Sequence, residues 1–278
     1  MNLVLLTDID GTLTPPRRPL LPEMAEALKQ LTVPFHVAAG SDLALVEPQF
    51  LRPLWDFGFR RDIEAFVNNG ATHCHCPYSQ RFAIEKVSEF DFRGHLGTEG
   101  FGCLMQALEN VLRSEEFALP DTVRVIGDRI INRGSMLNFS PIGRPKGELT
   151  DVTLRNRHQF AQFDQASQYR RRILAHLNDQ LSLLVREKRL RIMLGGETSF
   201  DLVIEGKDKT NAVSTLLRMG CKQVVFLGDA LFEGGNDSVI TDFIKNWNGP
   251  EACPVRAIQV SGWGDTLRIF HDQQWIAG

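Results

Sequence analysis

The 278-residue chain has no apolar run approaching the roughly 18 residues that cross a bilayer as a helix, which argues against a membrane span. No basic stretch precedes the short apolar run at the N-terminus, so no signal peptide is expected there. Positive charge is not in excess: the formal net charge of −3 gives no general electrostatic reason to bind nucleic acid. Cysteine is sparse. Cys74, Cys76, Cys103, Cys221 and Cys253 are scattered and odd in number, which favours reduced thiols in a cytoplasm over a disulfide framework. Internal repeats and low-complexity segments are also absent.

What remains is an ordinary globular composition, 43% hydrophobic and 23% charged, long enough for one large domain or two medium ones. Asn2–Thr7, Val33–Ala39 and Ile63–Val67 read as strands, with helices over Pro22–Leu31 and Asp42–Phe50. Towards the other end, Lys209–Met219 and Asn236–Trp247 read as helices and Gln223–Leu227 and Val255–Val260 as strands. This alternation predicts an α/β fold with a helix-covered parallel sheet. The middle does not alternate. Thr98–Phe117 and Gln159–Glu187 read as single helices, Pro145–Arg157 as a loop, and Thr122–Val125, Ile130–Asn132, Met136–Phe139, Leu190–Met193 and Phe200–Ile204 as short strands. The expectation is an α+β domain over residues 87–207, inserted into a core made of residues 1–86 and 208–278.

Asp8 and Asp10 follow the first apolar strand in "LLTDIDGTLTPPRR", at the strand edge where open α/β sheets place ligands. Two carboxylates this close repel one another, and a hard cation relieves the repulsion. Gly11 lets the backbone leave the strand sharply, and Thr12 offers a hydroxyl and an N–H to an anion.

The DxDGT pattern resembles motif I of the haloacid dehalogenase (HAD) phosphotransferase superfamily. "HVAAGSD" (His36–Asp42) resembles motif II and supplies Ser41; "GKDKTNAV" (Gly206–Val213) resembles motif III and supplies Lys209. "VVFLGDALFEGGND" (Val224–Asp237) resembles motif IV, with Asp229 and Asp237. The resemblance implies a HAD-like Rossmannoid core in which Asp8 is the nucleophile and Asp10 the general acid and base. Lys209 and Ser41 would hold the phosphoryl oxygens. Mg²⁺ would be bound by Asp8, the main-chain carbonyl of Asp10 and Asp229, with Asp237 and Asn236 supporting that shell.

A closer likeness lies in the middle. "GSMLNFSPIGR" (Gly134–Arg144) and "GGETSFDLVIEGKDK" (Gly195–Lys209) are similar to the type C2b cap, and its return to the core, in eukaryotic-type phosphomannomutases. Position by position, the likeness implies a phosphosugar site formed by Arg17, Arg133, Arg144, Ser199 and Asp201. It also implies a hexose 1,6-bisphosphate activator and a homodimer formed through the cap. The sequence departs from the family pattern in places. Asp151 stands where a further cap arginine is expected, with Lys146 and Arg155 as candidate substitutes; Lys207 replaces a tryptophan before motif III. The loop after Asp237 is about one residue shorter than in the family.

Two clusters invite other readings. "HCHC" (His73–Cys76) has the residues of a metal site. On a strand its histidines face one way and its cysteines the other, and no second Cys/His pair lies at zinc spacing, so ordinary strand residues are expected. "RRR" (Arg170–Arg172) reads as a solvated helix face. The functional expectation is a Mg²⁺-dependent phosphohexomutase acting on a small phosphosugar. A sugar-phosphate phosphatase on the same scaffold is the alternative, and a non-catalytic binding protein the remote one.

Overall fold

The computed structural model describes residues 3–145 and 150–276, which fall into two compact units. Unit one comprises Met1–Glu89, Gly206–Glu233 and Asp237–Gly278; unit two comprises Phe90–Glu205 and Gly234–Asn236. The chain opens in unit one with β1 (Leu3–Thr7), α1 (Pro22–Gln30), β2 (Phe35–Ala38), α2 (Leu43–Val46), a π-helical turn (Glu47–Leu51) and α3 (Arg52–Asp56). β3 (Ile63–Val67), β4 (Thr72–Cys76) and β5 (Glu85–Glu89) follow. Unit two holds α4 (Phe92–Arg113), β6 (Asp128–Asn132), β7 (Leu137–Arg144), α5 (Asp151–Ser167), α6 (Tyr169–Gln180), α7 (Ser182–Glu187), β8 (Leu190–Gly195) and β9 (Ser199–Ile204). Unit one closes with α8 (Lys209–Arg218), β10 (Gln223–Gly228), α9 (Ser238–Lys245), β11 (Val255–Gln259) and α10 (Trp263–Asp272).

In unit one a seven-stranded sheet runs β11-β10-β1-β2-β3-β4-β5. The β11-to-β3 pairs are parallel, and β4 and β5 are added antiparallel. Parallel strands sit between layers of helix, so β1 is apolar without alternation. Leu5, Val37, Val225 and Leu227 pack with Met24 and Leu28 of α1, Phe50, Leu54 and Phe270 of α10 on one face. On the other, α8 and α9 pack against β10 and β11 and bury Ala212, Val213, Leu216, Val239 and Ile240. Unit two is an antiparallel sheet, β6-β7-β9-β8, with Leu137, Phe139, Phe200 and Leu202 packed with Phe160, Tyr169, Ile173 and Leu177.

Several local expectations are corrected. The stretch expected as a helix over Asp42–Phe50 is α2 followed by the π-turn, with α3 beginning beyond it at Arg52. Pro48 has no N–H to donate, so the α-helical ladder cannot continue through it. The helix expected at Thr98–Phe117 begins at Phe92, is broken at Gly97 (φ 72°) and ends at Arg113, ahead of a 3₁₀ turn. The long helix expected at Gln159–Glu187 is three helices. Gln168 adopts a left-handed conformation (φ 53°, ψ 34°) between α5 and α6, and a second break falls at Leu181. The expected loop Pro145–Arg157 contains the start of α5, capped by the Thr150 side chain. Thr122–Val125 is a turn followed by irregular chain, closed by Val123 N–H donating to the Pro120 carbonyl (2.9 Å). β5 and α10 lie outside the expected elements.

The "HCHC" strand is β4. His73 Nε2 and His75 Nδ1 lie 2.6 and 2.8 Å from the two oxygens of Glu64, while Cys74 and Cys76 are buried in the core on the opposite face. Burial alone would raise the Glu64 carboxyl; the bonds from His73 and His75 outweigh it and hold the group below its ordinary value. Among the described residues, the histidines belong to no cluster with metal-ligating geometry.

Tyr169 is 2% exposed, and its hydroxyl donates to the Phe117 carbonyl at 2.8 Å. Tyr169→Phe should leave that buried carbonyl unpaired and cost about 1–2 kcal/mol in chemical denaturation. A change below about 0.3 kcal/mol would show that the bond carries no weight.

Candidate active site

The acidic site forms at the C-terminal ends of β1 and β10, which are parallel neighbours in register from Leu3↔Gln223 to Thr7↔Leu227. Asp8 and Asp229 are the first residues beyond these paired segments or one beyond, and so stand side by side. Asp237 follows at the start of α9. Asp8, Asp229 and Asp237 can each bring an oxygen within 4.8 Å of the other two. Lys209 is fully buried among them: its Nζ lies 2.9 Å from Asp8 Oδ1 and also donates to Asp237 Oδ1. The second oxygen of Asp237 accepts the Ala230 N–H at 3.1 Å.

Local backbone chemistry fixes these positions. Asp208 N-caps α8, its Oδ1 accepting the Thr210 N–H at 2.9 Å, which makes Lys209 the first helical residue. Gly11 has φ +79°, and a Cβ there would lie 2.4 Å from Asp229 Oδ2, so only glycine admits that carboxylate. Asn68, Asn69 and Gly70 all have positive φ. Their turn joins three segments: Asn68 N–H donates to the Ser41 carbonyl (2.8 Å), Asn69 N–H to the Ala39 carbonyl (2.8 Å), and Asn211 Nδ2 to the Gly70 carbonyl (2.8 Å). Ser41 is thereby anchored just past β2, the strand beside β1.

Three carboxylates against one ammonium leave the pocket short of positive charge. Burial, followed by repulsion from Asp237 and Asp229, raises Asp8 well above the usual carboxylate range despite the attraction of Lys209. Burial and Asp237 push Asp229 up to about 6. Burial disfavours the Lys209 ammonium, but Asp237 and Asp8 outweigh that and hold its pKa above the ordinary lysine value. A hard divalent cation suits both the oxygen donors and the charge deficit. Asp10 differs from its neighbours. Its carboxylate is outside the acidic cluster and accepts the Arg17 N–H (2.9 Å) and Gln49 Nε2 (2.5 Å) at Oδ1. Of the expected metal ligands, Asp8, Asp229 and Asp237 therefore converge, and Asp10 is left with its main-chain carbonyl. Arg17 itself adopts φ 60°.

Unit two gathers another set of polar groups. Arg144 donates from Nε to Asn138 Oδ1 (2.6 Å) and from Nη2 to Ser199 Oγ (3.1 Å). Asn138 Nδ2 donates to Asp201 Oδ1 (2.7 Å), and Ser199 Oγ to the Gly195 carbonyl (2.7 Å). Arg144 thus meets Ser199 directly and Asp201 through Asn138, which sequence reasoning missed; the position of Asn138 directly opposite Asp201 in the β7–β9 pairing is a tertiary fact. Arg133 lies in the turn between β6 and β7, its N–H donating to the Met136 carbonyl at 3.0 Å. Of the two substitutes considered for the arginine absent at Asp151, Arg155 is exposed and Lys146 lies outside the described residues. Arg157, which was not considered, is buried. It donates to Thr198 Oγ1 (3.3 Å) and Glu197 Oε2 (3.2 Å), in the β8–β9 turn that leads into Ser199. Arg170 of the "RRR" run is not a solvated charge: it pairs with Asp164 (2.7 Å) and donates to the Gly196 carbonyl (2.7 Å).

Residues 24–246 match the sequence profile described as eukaryotic phosphomannomutase. The chain belongs to that family. Phosphomannomutase from Schizosaccharomyces pombe is 30% identical over 240 residues, covering 84% of this chain and 83% of the relative. Human phosphomannomutase 1 is 31% identical over 238 residues, covering 85% and 82%. Among solved structures, an IMP-bound, N-terminally truncated IMP-nucleotidase from Plasmodium falciparum aligns with TM-score 0.64 at 12% identity, over 98% of this chain and 68% of that one. A Thermoplasma acidophilum protein aligns with TM-score 0.52 at 15% identity, over 99% and 100%. These structures share the fold, a Rossmannoid α/β core with a cap, and the family membership makes the chain an enzyme of the HAD type.

The raised Asp229 gives the site a pH signature. Its folded pKa of about 6 lies above the unfolded 3.8, so its contribution to stability is complete below the unfolded value and is lost as pH rises through about 6. Asp8 acts in the same direction. In excess chelator, the melting temperature should fall as pH rises from about 4 to 7, and Asp229→Asn should flatten that fall. An unchanged slope in the variant would remove Asp229 as its cause.

Proposed function

We propose that the protein is a Mg²⁺-dependent phosphohexomutase that interconverts hexose 1- and 6-phosphates, with mannose phosphate as the leading substrate, through a phosphoryl group held transiently on Asp8. The observation that carries this reading is the buried Lys209 ammonium bridging Asp8 and Asp237 beside Asp229. A carboxylate nucleophile must approach an anionic phosphoryl group, and the charge that builds on the equatorial oxygens needs fixed positive partners. Mg²⁺, when held by Asp8, Asp229 and the Asp10 carbonyl with Asp237 behind them, supplies further neutralisation.

An Asp8 oxygen attacks phosphorus, the phosphorus–oxygen bond to the sugar breaks, and Asp10 gives its proton to the departing oxygen. In the return step the acceptor hydroxyl attacks phosphorus, passes its proton to Asp10 and frees Asp8. Lys209 holds Asp8 in place and stays charged throughout. Ser41 is assigned to the phosphoryl oxygens. Arg144, Ser199 and Asp201, together with Arg17 and Arg133, are assigned to the sugar and its distal phosphate, where guanidinium forks suit phosphate oxygens. Arg157 would hold the turn that presents Ser199. A hexose 1,6-bisphosphate is the expected activator, since it charges Asp8 and regenerates the intermediate.

The deciding experiment supplies mannose 1-phosphate or glucose 1-phosphate, with and without a hexose 1,6-bisphosphate, and measures 6-phosphate and inorganic phosphate together. A mutase gives the 6-phosphate, stimulated by bisphosphate; inorganic phosphate alone would replace this reading by the phosphatase one. Asp8→Asn should lose turnover by a factor of at least about 10³, because an amide is a poor nucleophile. Near-native turnover in that variant would remove Asp8 as the nucleophile. Mg²⁺ should raise the melting temperature more at pH 7.5 than at pH 5, where protons already neutralise Asp229; no Mg²⁺-dependent shift at either pH would count against the metal.

A further inference from the structure

Gln49 is a buried polar side chain with no part in the chemistry above. It is 6% exposed and lies in the π-turn Glu47–Leu51, where Gln49, Phe50 and Leu51 are buried in succession. Three consecutive buried positions cover too wide an arc for one face of a surface α-helix, and π-turns recur at functional sites. An amide tolerates such a place only when its hydrogen bonds are made. Gln49 makes them to the loop that carries the reacting carboxylates. Its Nε2 donates to Asp10 Oδ1 (2.5 Å) and Thr14 Oγ1 (3.2 Å), and its main-chain carbonyl accepts the Leu20 N–H (2.9 Å).

The direction of these bonds is fixed by the neighbours. The Thr14 hydroxyl proton is committed to the Ile9 carbonyl (3.3 Å), so Thr14 presents a lone pair, and the amide must turn its NH₂ towards it. The same NH₂ then meets Asp10. Arg17 N–H, from a residue held in the left-handed region, donates to the same Asp10 oxygen. Both lone-pair directions of Oδ1 face N–H donors that cannot accept a proton.

We infer that Gln49 is a positioning residue for the proton transfer of Asp10. With the Arg17 N–H it occupies Oδ1, so the transferable proton is carried on Oδ2 and exchanged from there with the leaving and attacking oxygens. This inference rests on the reading of Asp10 as general acid and base. It adds that the grip on one carboxylate oxygen decides which oxygen reacts.

The test uses Gln49→Glu, isosteric but without the donor, and Gln49→Met, of similar length and apolar. Phosphorylation of Asp8 is followed in single turnovers from mannose 1-phosphate, whose alkoxide leaving group needs a proton, and from 2,4-dinitrophenyl phosphate, whose phenolate does not. The ratio of the sugar to the aryl rate constant should fall about tenfold to a hundredfold in both variants, the scale of a general-acid contribution. KM for the sugar phosphate should change much less than kcat. In an Asp10→Asn background, Gln49→Met should add no further loss in that ratio, because the two residues act as one unit. Equal losses on both leaving groups, or full additivity with Asp10→Asn, would overturn the inference while leaving Asp8 as nucleophile. Failure to find phosphorylated Asp8 in the wild-type protein would overturn the underlying reading, and the inference with it.

Discussion

A lysine ammonium sealed from water is tolerable only with carboxylates around it, and the active site is organised by that demand. Lys209 is fully buried, and Asp8 and Asp237 both reach its Nζ. Breaking such a buried arrangement by removing one partner typically costs about 3–5 kcal/mol, so the positions of all three side chains are coupled. The surrounding backbone conforms to them. Asp208 starts α8 so that Lys209 enters the pocket, and Gly228 is bare because a Cβ would lie 2.3 Å from Asp237 Oδ2. The arrangement is over-supplied with negative charge until a cation or a proton arrives, and burial, reinforced by that imbalance, raises Asp8 and Asp229.

Unit two solves the opposite problem. Arg144 is a fixed positive charge, and the acceptors it donates to here are neutral: the Asn138 amide oxygen and the Ser199 hydroxyl. Asp201, buried at 3% exposure, accepts from the Asn138 amide. The guanidinium is therefore oriented without being neutralised by a direct carboxylate partner among these bonds. That is the condition for an arginine to retain attraction for an anion.

The residues that could be read from the sequence are those whose role depends on local context. Asp8, Asp10, Asp229 and Lys209 stand at strand ends and a helix start, and hydrophobic runs mark those places directly. Asn138, Arg157 and Gln49 are of common types in unremarkable surroundings, and only the pairing of distant segments gives them partners. Fold class was legible for the same reason that helix segmentation was not. Apolar periodicity continues across Gln168, and its left-handed backbone leaves no mark in a residue type that ordinarily favours helices. The π-turn is a partial exception, since Pro48 announces a fault in the helix but not the form that the fault takes.

The turn at Asn68–Gly70 has a consequence for how such a chain can change over time. It fastens the segment after β2 to the start of α8, so that Ser41 and Lys209, 168 positions apart in the sequence, are tied within one unit. The chain leaves that unit after Glu89 and re-enters it at Gly206, and none of these ties runs through the residues between. An insert at that point is free to lengthen, shorten or be exchanged without altering the spacing of the reacting groups. The turn acts as the clasp of a modular protein: it keeps the spacing of Ser41 and Lys209 constant while the inserted unit varies.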